Sequence, residues 1–164
     1  MAVTYDPIAT VTMSGSSSTT TFTSIPQTYT DLRLICSFTG VSGCNFSTAV
    51  GNNSIDTGSN YSCVRLYGTG SSATSNLQTN NTFYTGNITV GANGSNSIID
   101  IMNYSNTTTY KTALNRFNDA GAIVFAIVSL WRNTAAINQL QVFSTNSVNF
   151  ASGTVFTLYG IKAA

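Results

Sequence analysis

Gly121-Ala-Ile-Val-Phe-Ala-Ile-Val-Ser-Leu-Trp131 is the longest nearly uninterrupted apolar run in a chain otherwise rich in Ser, Thr, Asn and Gly. Leaving it in water would forfeit much of the driving force for folding, so the run reads as buried. A bilayer-spanning helix needs roughly 20 apolar residues, and this run is too short for one. Ile123, Val124, Phe125, Ile127 and Val128 are β-branched or aromatic. That content predicts a strand covered on both faces, the central strand of a β-rich domain. Trp131-Arg132 marks where it is expected to leave the core.

Periodicity alone does not separate a short buried strand from a short buried helix, so the neighbouring segments decide. In Asp31–Phe38, Leu32, Leu34, Cys36 and Phe38 fall on one face and Asp31, Arg33 and Ser37 on the other, the period of a half-buried strand. Tyr61–Tyr67 and Ile137–Ser144 alternate in the same way, with Leu140 and Val142 inward. Thr154–Ile161 is apolar on both faces and reads as a second internal strand. Ile8–Met13, Thr19–Ile25, Ser97–Tyr104 and Thr108–Phe117 are further strand candidates, Phe46–Val50 is a weaker one, and Thr82–Thr85 with Asn87–Val90 forms one bulged strand or two short ones. Turns fall at Ser14–Ser16, Gly40–Gly43, Gly51–Asn60, Gly68–Ser72 and Gly91–Ser95. The polar stretch Ala73–Asn81 reads as an exposed excursion. Two segments echo one another, Arg65-Leu-Tyr-Gly68 and Thr157-Leu-Tyr-Gly160, as similar strand ends.

Roughly eight to ten short strands, with turn signals about every 8–12 residues and no amphipathic helical stretch, define an all-β antiparallel sandwich or barrel. At 164 residues the chain is most simply a single domain. The domain is expected over residues 8–164, with residues 1–7 as an N-terminal arm. Those first residues show no basic stretch or apolar core of a secretory signal, so the Asn-x-Ser/Thr triplets are expected to stay bare.

Only 7% of residues are charged, against about 25% in ordinary domains, while 42% are hydrophobic. The surface must then be covered by neutral hydroxyls and amides. A net charge of +1 supplies no field to draw nucleic acid or an anionic membrane, and a near-neutral surface resists self-association poorly. Both properties suit a protein packed against copies of itself or a partner.

There is no His, and every acid is Asp: Asp6, Asp31, Asp56, Asp100 and Asp119. Ser-His-Asp and Cys-His arrangements and His-containing zinc sites are thereby excluded. Nothing in the Asp spacing favours a two-carboxylate glycosidase. No enzyme activity and no cofactor are expected. The three cysteines, Cys36, Cys44 and Cys63, read as buried free thiols, with a Cys36–Cys63 bridge as the alternative. The loop Asp56-Thr-Gly-Ser-Asn60 offers Asp56 and Asn60 either to a calcium ion or to an ordinary Asx-type turn, and one carboxylate favours the turn. Asp56 with Arg65, and Asp31 with Arg33, are candidate ion pairs at strand ends.

Three groups of motifs recur together: Tyr5-Asp-Pro-Ile-Ala-Thr-Val-Thr with Ser24-Ile-Pro-Gln-Thr-Tyr-Thr-Asp-Leu-Arg-Leu34; Asp56-Thr-Gly-Ser-Asn-Tyr-Ser62 with Arg65-Leu-Tyr-Gly68; and Ile101-Met-Asn-Tyr-Ser-Asn-Thr107 through Leu130-Trp-Arg132 to Phe156-Thr-Leu-Tyr-Gly-Ile-Lys162. In this order, nearly end to end, they resemble a family of tailed-bacteriophage virion proteins found free-standing or as the end domain of tail fibres. The departure is Cys63, where a larger residue is expected. The resemblance implies a jelly-roll-like β-sandwich, often a homotrimer, without an established catalytic motif. With little ahead of the domain, the chain resembles the free-standing kind. That kind implies a capsid decoration (cement) protein on the outer surface of the virion, bridging neighbouring major capsid subunits. Tyr5, Asp6 and Pro7 are then the expected partner-contacting residues of the arm. The alternative is a tail-fibre or tail-tip module that binds a host-surface glycan. Tyr61, Tyr67, Tyr84, Tyr104, Tyr110, Trp131 and Tyr159 would supply its stacking platform, although in alternating strands most of them read as core or interface.

Overall fold

The computed structural model describes residues 4–40, 43–119 and 121–162. These contain thirteen strands and no helix. In chain order they are β1 (Tyr5–Thr12), β2 (Thr19–Phe22), β3 (Asp31–Phe38), β4 (Asn45–Asn52), β5 (Ser54–Ile55), β6 (Tyr61–Gly68) and β7 (Ala73–Asn81). The remainder are β8 (Ile88–Thr89), β9 (Ser95–Ile101), β10 (Lys111–Asp119), β11 (Ile123–Trp131), β12 (Gln139–Ser144) and β13 (Val155–Ile161). Eight form one sheet in the order β1-β13-β3-β9-β10-β11-β6-β7. Five form the other, β2-β12-β4-β5, with β8 also paired to β4. Every ladder is antiparallel. The chain crosses repeatedly between the sheets, so the domain is an all-β sandwich closed by long-range pairings, as jelly-roll-like folds are.

The inward faces follow from the side-chain period of two. Leu32, Leu34, Cys36 and Phe38 of β3, Phe156 and Leu158 of β13, and Leu140 and Val142 of β12 are all buried. Phe38, Phe46, Phe150 and Phe156 meet edge-on or tilted, with ring centroids 4.9–6.1 Å apart. β4 is buried on both faces, with Ser47 and Thr48 as inaccessible as Phe46 and Val50. In β13 the bare Cα of Gly160 lies directly under the Tyr29 ring, where a Cβ would collide with it. At Gly68, its echo in β6, a Cβ would meet only ordinary contacts with the Ser72 carbonyl and Val124, so the two matching segments serve different local purposes.

β11 is internal, between β10 and β6, and β13 is internal, between β1 and β3. The expected double coverage of β11 does not hold. Phe125, Ile127 and Trp131 are buried, whereas Val124 and Val128 on the opposite face are more than half exposed. The second sheet covers one face only. Trp131 also stays inside the core, and the chain emerges at Arg132.

Other expectations shift as well. Of the arm read over residues 1–7, Met1 to Val3 lie outside the described residues. Tyr5, Asp6 and Pro7 belong to β1 and pair with Ile161, Gly160 and Tyr159 of β13. The backbone donors and acceptors of that segment find partners in the closing strand, and Lys162 pairs with Asp6 at 2.7 Å. Ala73–Asn81 is exposed, as read, but forms β7 at the edge of the large sheet. Thr82–Thr85 forms no strand. The turn read at Gly40–Gly43 falls partly outside the described residues, at 41 and 42. Neither expected ion pair forms: Arg33 pairs with Asp100, the Asp31 carboxylate accepts from the Asn103 N–H, and Asp56 binds Trp131. All three cysteines are free and buried.

Candidate functional site

The outward face of the large sheet divides into two zones. Across β1, β13, β3 and β9 its polar groups satisfy one another. Arg33 donates to both oxygens of Asp100, at 2.5 and 2.9 Å, and to the Tyr5 hydroxyl at 2.9 Å, while the Thr10 and Thr157 hydroxyls meet at 3.2 Å. Asp100, outside the two expected pairs, is thus the partner that fixes Arg33.

From β9 to β7 the same face is apolar. Register aligns one row of Leu114, Val128, Val64 and Leu77 across β10, β11, β6 and β7. The next row runs Ile98, Arg116, Ala126, Leu66 and Ser75 from β9 to β7, and Val124 lies beyond it opposite Gly68. Val64, Leu66, Leu77, Ile98, Leu114, Val124 and Val128 are 40–65% exposed. They are all the strongly exposed large aliphatic side chains among the described residues. Three shallow depressions of about 370, 350 and 300 Å³ run side by side over this zone, sharing Leu66, Arg116, Val64 and Val128 along their borders. Fully burying an aliphatic side chain is worth about 1.5–3 kcal/mol. Covering what remains open here would return on the order of 5–10 kcal/mol before the costs of association.

Charge at this zone is sparse. Among the described residues, five of the six cations are held: Arg33 by Asp100, Lys162 by Asp6, Arg65 by the Asn87 carbonyl, Arg132 by the Ser59 carbonyl, and Lys111 by two carbonyls. Arg116, exposed between Ile98 and Ala126, has no partner among the described residues. Lys111 is the opposite case: nearly inaccessible, it donates to the Thr109 and Thr134 carbonyls at 2.7 and 3.0 Å, and burial pulls its amine below the ordinary lysine range.

Asp56 and Asn60 lie together in the loop after β5. Asp56 Oδ1 accepts from the Gly58 N–H at 2.9 Å, an Asx turn, and Asn60 Nδ2 donates to both carboxylate oxygens. Oδ2 also accepts from Trp131 Nε1 at 2.7 Å. Burial raises the carboxyl's proton affinity, but the donors from Trp131, Asn60 and Gly58 outweigh it and hold Asp56 below the ordinary carboxylate range. These N–H groups occupy the positions from which a cation would be bound. Among the described residues no cluster of three or more His, Cys, Asp or Glu side chains forms.

The aromatic set is dispersed. Tyr61, Tyr84, Tyr104 and Trp131 are buried, and Tyr61 stacks on Trp131 with centroids 6.5 Å apart. Of the seven, Tyr110 alone is more than half exposed. Tyr5, Asp6 and Pro7 lie on β1 at the far edge of the large sheet from the apolar zone. The zone itself went unrecognised in sequence because its Val and Leu residues lie in strands that already read as core.

The fold and this face define the chain as an all-β sandwich with one sheet left partly uncovered. No protein-family model matches the chain, and no curated protein matches it in sequence.

Proposed function

We propose that the chain is a structural protein of a tailed-bacteriophage virion, a decoration protein that sits on the outer capsid shell and bridges neighbouring major capsid subunits. The observation that carries this reading is the open apolar zone over β10, β11, β6 and β7, on a domain whose other charges are tied up internally. Monomeric proteins rarely expose contiguous apolar patches beyond a few hundred Å², and larger ones mark interaction surfaces. The motif order supplies the virion setting. A role made of surface contacts also accords with a His-free chain whose carboxylates serve the fold.

Quantitative mass spectrometry of purified heads and tails tests the proposal. Decoration requires the protein in heads at a copy number comparable to the capsid subunits. Signal confined to tails, or absence from particles, overturns it.

A further inference from the structure

We infer that the partner surface covering the apolar zone presents a carboxylate to Arg116, flanked by apolar side chains that fill the depressions beside it. The inference rests on the proposed role for the partner itself, a capsid subunit, and adds the chemistry by which that partner is recognised.

Position is the first argument. Arg116 stands on β10 between Ile98 of β9 and Ala126 of β11, with Leu66 of β6 next in the row. It lines both of the larger depressions, of about 370 and 350 Å³, which also share Leu66 and Ala126. The guanidinium therefore sits inside the apolar field rather than at its rim, and it loses water when the face is covered. Unless the cover supplies an acceptor, Arg116 carries the heavy penalty of an unpaired buried ion. A carboxylate meets the planar guanidinium fork with two parallel hydrogen bonds, and both strengthen once water is excluded.

The state of the chain's own carboxylates is the second argument. By register the nearest is Asp100, diagonal to Arg116 across the β9–β10 ladder, and Arg33 holds both its oxygens at 2.5 and 2.9 Å. Asp6 pairs with Lys162, and Asp31 accepts the Asn103 N–H. Asp56 accepts from Trp131, Asn60 and Gly58, and Asp119 accepts the Gly121 N–H. These five are all the acidic side chains of the sequence. A second copy would have to break one of these contacts to reach Arg116, whereas a different protein brings its carboxylate free. The charge thus selects a partner with an acidic residue set among apolar ones.

Binding of the purified full chain to purified heads prepared without it tests the inference, with R116M, R116K and K162M in parallel. Arg116 is exposed, so its variants should fold, which circular dichroism and thermal unfolding check. R116M keeps an apolar stem but strands the partner's carboxylate, and should weaken binding ~100-fold or more. R116K restores the charge without the fork and should recover part of that loss. K162M removes the same charge beside β13, near the other edge of the sheet, and should bind as the wild type does. R116M binding as tightly as wild type, or more tightly, overturns the inference and leaves the capsid reading standing, since an apolar cover would gain from the swap. An equal loss in K162M also overturns it, by showing an effect of net charge alone. A wild-type chain that does not bind heads overturns the proposed function, and the inference with it.

Discussion

The indole Nε1 of Trp131 donates to Oδ2 of Asp56 at 2.7 Å, joining the end of β11 to a loop 75 residues earlier. The Tyr61 ring stacks beside the indole, and its hydroxyl lies 2.8 Å from the carbonyls of Val50 and Asp56. The loop therefore fastens the end of the large sheet to β4 of the small one. Removing the carboxylate strands a buried indole N–H, which typically costs about 1–3 kcal/mol. We expect Asp56→Ala to lose stability in that range in urea unfolding, and Asp56→Asn to lose less because its amide oxygen still accepts. A double-mutant cycle with Trp131→Phe should show coupling of about 1 kcal/mol or more; strict additivity would mean that the contact contributes nothing.

The same carboxylate makes a prediction about acid. Asp56 is held below its ordinary value of 3.8, so the folded chain binds this proton less tightly than the unfolded chain does. The contribution is present above 3.8 and is lost as pH falls through that value toward the folded one. Asp56→Asn should therefore flatten the acid limb of the stability–pH curve while leaving its shape at neutral pH unchanged. An identical acid limb in wild type and variant would refute the assignment.

Which features were legible follows from what each strand contacts. β3, β6 and β12 alternate in sequence because one face meets the core and the other meets water or polar partners. β7 does not alternate: it is an edge strand exposed almost throughout, so burial imposes no period on Ala73–Asn81. β11 misleads in the other direction. Apolar on both faces, it read as doubly covered, and a single chain cannot distinguish a face covered by its own fold from one left open. The Asx turn at Asp56 was readable from five consecutive residues, but Trp131 as its partner was not, since that contact exists only after both sheets assemble. The odd number of cysteines made free thiols the first reading with a Cys36–Cys63 bridge as the alternative, and the fold leaves all three free and buried.

At alkaline pH the sign reverses. Burial raises the Tyr61, Tyr84 and Tyr104 hydroxyls above their ordinary 10.0 and the Cys36, Cys44 and Cys63 thiols above their ordinary 9.0. Above those values the unfolded chain releases protons that the folded chain retains, so stability declines as pH rises. Lys111 opposes this, since burial lowers its amine from 10.5 and its penalty eases as pH climbs, but it is one group against six. The urea midpoint should fall between about pH 9 and pH 11. A midpoint that is level or rising over that interval would show these hydroxyls to be solvent-accessible.

Adjacent residues of β11 face opposite environments. Phe125 is 8% exposed and packs against Tyr67 and Phe117, with centroids 5.2 and 6.0 Å away, while Val124 is 58% exposed on the open face. A carboxylate at Phe125 would both empty the ring's site and bury an uncompensated charge, which exceeds the marginal stability of most domains. Phe125→Asp should therefore abolish soluble expression, whereas Val124→Asp should express, fold and lose little stability in the isolated chain. Expression yield and thermal unfolding compare the two directly. A soluble, cooperatively folding Phe125→Asp variant would mean that the strand's faces are assigned the wrong way round, since the charge would then be resting in water.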